Sequence, residues 1–310
     1  MKKAAERIIN DCISMQPGEK VLIITDKNKL KIGEAIQKAA ENAALIEIPV
    51  GKVHGEEPPK EVAEEMKKYD IILAPTSKSL THTKAFREVK KLGARGATLP
   101  GITEDMMHRA IDVDYEAMSR NTNKLKDLLD KAKEIRVITK SGTDIKFSVD
   151  GREAKADTGM LREKGKFGNL PAGEAFVSPV EGTAEGRYVI DSSVLDKKVE
   201  NPITLVVEGG YVVKITGKEE AEELQEKLEN VHDRNAFNIA ELGIGTNEKA
   251  TITGKVLEDE KVKGTAHIAL GNNMGFGGNI DVPIHIDGVF LAPTIYADGI
   301  RIIEDGNFLF

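Results

Sequence analysis

Residues 21–44, VLIITDKNKLKIGEAIQKAAENAA, decide the fold class of the first part of the chain. The opening VLIIT is an unbroken, mostly β-branched run, preceded by the turn pair Pro17–Gly18, and reads as a buried strand. From residue 31 the apolar positions switch to helical spacing, with Ile32, Ala35, Ile36, Ala39, Ala40 and Ala43 on one face. The rhythm then repeats: a strand at 45–50, a helix at 58–69 opened by two prolines, the strand DIILA at 70–74, and a helix at 81–94. Strands separated by helices imply parallel βαβ units with right-handed crossovers. Residues 1–122 therefore read as a Rossmann-like, three-layer α/β domain. The stretch after the first strand, DKNKLKIGE, has none of the glycines that admit a dinucleotide pyrophosphate, so no NAD is expected here. The polar, methionine-rich stretch 101–123 reads as a link between domains.

From Glu134 onward the pattern changes to short alternating strands: IRVITK, DIKFSVD, RYVIDSSV and ITLVVEGGYVVKITG. Asp144 and Gly209–Gly210 fall where hairpin turns belong, and a charged helix, EEAEELQEKLENV, follows. Residues 123–310 read as an α+β, largely antiparallel domain with a glycine-rich tail.

Composition excludes several classes of function. The chain of 310 residues is 40% hydrophobic and 31% charged, with a formal net charge of −7 and no basic stripe, so no nucleic-acid partner is expected. Cys12 is the only cysteine, which rules out an internal disulfide or a thiolate cluster within one chain. No run is long and apolar enough to span a bilayer, and charges interrupt the N-terminus, so a soluble cytoplasmic protein is expected. A lysine- and glutamate-rich, glutamine-poor composition fits a heat-adapted source.

The chemistry lies in the second half. His285 and Asp287 sit in PIHIDGV, where a spacing of two on a strand turns both to one face. His267 lies in GTAHIALG, again strand-like, with Ile268 and Leu270 directed to a core. Glu241 interrupts the apolar strand NIAELGIGTN, where an unpaired carboxylate is costly, and Glu174 lies in the proline-flanked segment FGNLPAGEAFVSP. Two histidines and a carboxylate suit a borderline divalent cation. Glu260, in the charged run LEDEKVKGTAH, reads as solvated. The loop GNNMGFGGN reads as a mobile rim, while His54, His108 and His232 are expected at the surface.

In order, NLPAGEAFVSP, AELGIGTN, DEKVKGTAHIALG and HIDGV resemble motifs of the aminopeptidase T family of metallo-exopeptidases. The resemblance implies that Glu174, Glu241, His267, His285 and Asp287 hold two divalent ions (Zn, Co or Mn), with Glu260 beside them. It further implies a homodimer that removes N-terminal residues from short peptides, with Glu241 or Glu174 as the base. After HIALG the family commonly carries a tyrosine near the metals; here Met274 lies around that place, with Tyr188 and Tyr296 as possible substitutes. A second reading comes from the related ring-cleaving dioxygenases of hydroxypyridines, in which His267, His285 and Asp287 would bind one Fe(II). A third is a non-catalytic protein that keeps a structural metal.

Overall fold

The computed structural model describes all 310 residues, a mixed α/β chain with one parallel and two antiparallel sheets. It divides into two compact units, residues 1–119 with 157–172, and residues 120–156 with 173–310. The chain begins with α1 (Lys2–Arg7), β1 (Val21–Asp26), α2 (Leu30–Ala39), β2 (Ala43–Ile48), α3 (Lys60–Met66), β3 (Ile71–Ala74), α4 (Lys84–Lys91) and β4 (Arg95–Thr98). The strands are parallel, in the order β2-β1-β3-β4. Every residue of β1 is buried because the strand feeds two cores. Val21 and Ile23 pack with Ile32 and Ile36 of α2, whereas Leu22 and Ile24 pack with Val62 of α3 and Phe86 of α4. Two covered faces require an unbroken apolar run rather than an alternating one. Helix α4 is shorter than its sequence pattern because Thr83 caps it, accepting a hydrogen bond from the Phe86 amide.

The 101–123 stretch is not a linker. It holds α5 (Glu104–His108) and the start of α6 (Tyr115–Lys131), and Ile102, Met106, Met107, Ile111, Val113 and Met118 all enter the core beneath β1. Methionine's flexible thioether fills an irregular core as readily as it decorates a polar loop.

A partly buried ion pair braces this unit. Arg95, at the start of β4, donates from two nitrogens to the two Glu19 oxygens at 2.6 and 2.8 Å, and also to the Ile13 carbonyl. The Arg95 guanidinium holds the Glu19 carboxyl below its ordinary range, so the pair's contribution is full above about pH 4.3 and fades as pH falls through the lowered value. Glu19→Gln should cost about 2 kcal/mol at neutral pH, with the gap to wild type closing below pH 4, as read by chemical denaturation. An equal deficit at pH 3 and pH 7 would show that the pair carries no such charge.

Past α6 come β5 (Glu134–Ile138), β6 (Asp144–Ser148) and β7 (Lys155–Asp157). The chain then returns to the first unit, where β8 (Phe167–Asn169) extends the parallel sheet beyond β4. Asp144 is no turn residue; it opens β6 and pairs with Arg136 of β5. The second unit continues with β9 (Glu174–Val177), β10 (Glu185–Ile190), β11 (Ser193–Val194), β12 (Lys197–Lys198), β13 (Ile203–Glu208) and β14 (Tyr211–Thr216). Gly209 and Gly210 turn the β13–β14 hairpin with positive φ, as their sequence implies. Helix α7 (Glu219–Glu229), β15 (Ile239–Gly245), α8 (Val256–Asp259), β16 (Thr265–Gly271) and β17 (His285–Leu291) follow, then β18 (Thr294–Ala297), β19 (Ile300–Glu304) and β20 (Asn307–Phe308).

One sheet runs β14-β13-β10-β6-β5-β18-β19-β20 and the other β12-β11-β17-β16-β15-β9-β7. A single core lies between them. Ile145, Phe147, Leu205 and Ile295 come from one sheet, and Leu242, Ile244, Ile268, Leu270 and Phe290 from the other. No helix is long and apolar enough to cross a membrane.

Candidate metal centre

The central strands β15 and β16 of the second sheet are buried on both faces, and their alternation divides the labour. Ala175 and Val177 of β9, Leu242 and Ile244 of β15, and Ile268 and Leu270 of β16 face the core. The intervening positions share the opposite face: Glu174 and Phe176, Glu241 and Gly243, His267 and Ala269, His285 and Asp287. The strand register fixes this arrangement. Gly245 pairs with Glu174, Gly243 with both Phe176 and His267, Ala269 with both Glu241 and Asp287, and Gly271 with His285. Each donor thus stands opposite a residue with no functional side chain, which leaves room for donors to meet diagonally.

They do meet. The Nε2 atom of His267 lies 3.4 Å from Glu241, 3.5 Å from Glu174 and 3.9 Å from Asp287. The Nε2 atom of His285 lies 3.3 Å from Asp287 and 3.6 Å from Glu241. The structure therefore brings together all five residues singled out in the sequence. Two overlapping groups have their ligand atoms within 4.8 Å of one another: Glu174, Glu241 and His267, and Glu260, His267 and Asp287.

The glycines of β15 explain how the cluster fits. A β-carbon on Gly243 would stand 2.1 Å from the His267 ring, so the imidazole lies flat against bare backbone. One on Gly245 would stand 2.1 Å from the Val262 carbonyl oxygen, so the 261–262 backbone also depends on a missing side chain. That backbone follows α8, whose Asp259 accepts hydrogen bonds from the Thr253 and Gly254 amides, at 2.7 and 2.8 Å. Glu258 accepts from Thr251. This acid-stapled turn delivers Glu260 and Lys261 to the site. Glu260 is buried, not solvated, and Lys261 is 2% exposed. Its ammonium lies 2.5 Å from Glu174 and 2.8 Å from Glu260.

Electrostatics follow from four carboxylates around two imidazoles. Burial alone would lower the His267 pKa, but the Glu241 hydrogen bond and the Glu174 and Asp287 charges outweigh it and lift the ring to about 9. His285 rises to about 10 against the same penalty, chiefly through Asp287. Burial would raise Asp287, yet the His285 and His267 charges hold it well below the usual carboxylate range. Glu260 is pushed up to about 8 by burial, with Lys261 opposing. So much negative charge is what a divalent cation neutralises, at the expense of the two imidazole protons. Two buried atoms, Glu174 Oε2 and His267 Nδ1, have no hydrogen-bond partner, which is uncommon in a native interior. His285 Nδ1 lies 2.8 Å from the Asn272 carbonyl, to which it donates, directing the Nε2 lone pair at the cluster.

The 272–279 loop is a rim, but a latched one. Asn273 is fully buried; it donates to Ser178 and Glu181 and accepts from the Ile280 amide. Glu181 in turn pairs with Arg152, which also donates to the Gly277 carbonyl. The latch sets Phe276, not Met274, beside the cluster: its ring centroid is 5.2 Å from that of His285 and 5.5 Å from that of Phe176. Met274 is half-exposed. Tyr188 is buried with an unpartnered hydroxyl, while the Tyr296 ring is capped by Arg301. His54, His82, His108 and His232 are exposed, and none of them joins the cluster.

Two imidazoles and four carboxylates converging on one face of a buried sheet form the nitrogen–oxygen donor set that metalloenzymes use for divalent cations. A model of the NicX family, described as 2,5-dihydroxypyridine 5,6-dioxygenase, matches residues 1–310, and the chain belongs to that family. A relative from Pseudomonas putida KT2440, a 2,5-dihydroxypyridine 5,6-dioxygenase, is 28% identical over 193 residues. That stretch is 58% of this chain and 55% of the relative, so the match spans about half of the curated protein's length. The solved 2,5-dihydroxypyridine dioxygenase of the same organism shares the fold, with a TM-score of 0.83 at 20% identity over 99% of this chain and 96% of that one. AmpT from Thermus thermophilus shares it too, with a TM-score of 0.73 at 16% identity over 100% and 98%.

The likeness to aminopeptidase T is therefore one of fold, and the expectation of a metallo-aminopeptidase, a peptide hydrolase, is overturned by the full-length family match. One Glu174 oxygen accepts a hydrogen bond from Lys261, while Glu174 still stands with Glu241 and His267 in a candidate metal group. The two-metal Zn, Co or Mn centre goes with the peptidase reading. Sequence reasoning missed Lys261, Phe176 and Phe276. A lysine in a charged run gives no sign of burial, but Gly245 of ELGIG, which lies against its backbone, is a readable signal of close approach.

Proposed function

We propose that this chain is an iron-dependent, ring-cleaving dioxygenase acting on a dihydroxylated pyridine, with one Fe(II) held by His267, His285 and Asp287. The observation that carries the reading is the match of the whole chain to a family described by that activity. The donor chemistry is consistent with it, since two imidazoles and one carboxylate on adjacent strands are the set that non-heme Fe(II) oxygenases use. When bound, Fe(II) supplies the redox chemistry that lets triplet dioxygen attack a closed-shell ring.

The protein's own residues do the rest. Phe276 and Phe176 offer a flat apolar wall beside His285, suited to an aromatic ring and unsuited to water. Glu241, whose oxygens lie 3.4 and 3.6 Å from the two imidazole Nε2 atoms, is the base we assign to the proton of a ring hydroxyl. Asp287, 3.3 and 3.9 Å from the two Nε2 atoms, contributes the negative charge that a divalent cation requires, while the Asn272 carbonyl orients His285 through its Nδ1.

The test is oxygen uptake by the Fe(II)-loaded chain supplied with 2,5-dihydroxypyridine. The expected result is one dioxygen consumed per ring opened, with both atoms of isotope-labelled dioxygen recovered in the product. Metal retained with no consumption of dioxygen, across a panel of dihydroxylated pyridines, would sink the reading in favour of a binding protein.

A further inference from the structure

We infer that the Lys261 ammonium is a built-in counter-cation that restricts this site to one divalent ion per chain. The inference rests on the single-ion reading of the same site and names the residue that enforces it. Six donors are gathered here, five in the two candidate groups and His285 beside Asp287 and Glu241, enough on paper for two ions. The two candidate groups share His267, however, and its Nε2 lone pair can serve only one metal. A second ion would have to recruit the acids left over, chiefly Glu174 and Glu260. Those are the two carboxylates that Lys261 bridges, at 2.5 and 2.8 Å.

The lysine cannot easily leave. Its residue is 2% exposed, and its backbone is clamped between the α8 turn and the bare Gly245. Charge counting points the same way. One divalent ion and the ammonium bring three positive charges to four carboxylates, Glu174, Glu241, Glu260 and Asp287. Two ions and the ammonium would bring five, packed within a few ångströms in a medium that screens poorly. Removing the ammonium lowers the positive charge of a two-ion site from five to four and frees an oxygen on each bridged acid. Glu174 Oε2 makes no hydrogen bond and lies 3.5 Å from His267 Nε2.

The test uses the full chain stripped of metal and titrated with Mn²⁺, for wild type, Lys261→Met and Lys261→Arg. Bound manganese is measured after desalting, and electron paramagnetic resonance reports whether the ions are isolated or exchange-coupled. Wild type and Lys261→Arg should hold one isolated ion, and Lys261→Met two coupled ions. Two coupled ions in wild type, or one in folded Lys261→Met, would overturn the inference. If Lys261→Met does not fold, Lys261→Gln, which also removes the charge, takes its place: two coupled ions uphold the inference and one ion overturns it. Oxygen uptake by the iron-loaded wild type separates the two proposals. Ring opening with a single ion in Lys261→Met would refute the counter-cation while leaving the dioxygenase standing. No ring opening and two ions in wild type would remove both.

Discussion

Asp287→Asn is expected to abolish tight iron binding and to lower ring-opening turnover by about 100-fold or more. The side chain keeps its size, so the loss measures charge. Asp287 is the acid closest to His285, at 3.3 Å, and it also reaches His267 at 3.9 Å. Without its charge a divalent ion loses its anionic ligand. Glu241→Gln is the informative contrast, because Glu241 lies just as near both rings. Under the proposed roles it keeps one iron per chain and loses turnover, since a base is removed and a ligand is not. Iron analysis of the two variants side by side checks this. Iron retained in Asp287→Asn and lost in Glu241→Gln would exchange their roles.

Gly243→Ala should be nearly as damaging although it adds a single methyl group. The new carbon would stand 2.1 Å from two atoms of the His267 ring, a separation that no rotamer of the ring's present seat relieves. The backbone at 243 is ordinary strand, so an alanine there carries no conformational penalty of its own. The whole effect is steric and falls on the imidazole. Iron affinity is expected to drop by about 10–100-fold, with a stability loss of about 1–3 kcal/mol. Gly275→Ala, in the rim loop with nothing within 4 Å of the added carbon, is the control and should change neither. Unaltered iron affinity in Gly243→Ala would mean that His267 is not a ligand in its observed position.

Much of this molecule could be read from its residues. The VLIIT run declares a strand buried on both faces, and the alternation in HIDGV and AHIALG places donors and core residues on opposite faces of a sheet. The five candidate ligands come together because that alternation is local and robust. What escaped the reading is long-range. Nothing near residues 101–123 announces that their methionines are enclosed, because enclosure is decided by β1 and the helices around it. Lys261 looks like any surface lysine until Gly245 is seen to admit its backbone. The reaction class is not legible for a related reason: motifs report which donors are present, and the fold that carries them is shared by proteins as far apart in description as a dioxygenase and AmpT.

The return of the chain at residues 157–172 bears on how this protein can be made and cut. Strand β8 completes the parallel sheet only after β5, β6 and β7 have been synthesised, so the first unit cannot close until residue 172 has left the ribosome. Until then the β4 edge is open, and a nascent chain stalled there carries an unpaired strand edge prone to misassociation. The same connectivity means that no single cut separates the units. A fragment ending near residue 119 would lack its outermost strand, and one beginning at residue 120 would carry a 16-residue insertion folded for a sheet it no longer has. Exchange of parts with relatives by recombination therefore needs crossovers on both sides of that excursion, a restraint that a chain divided at one point would not impose.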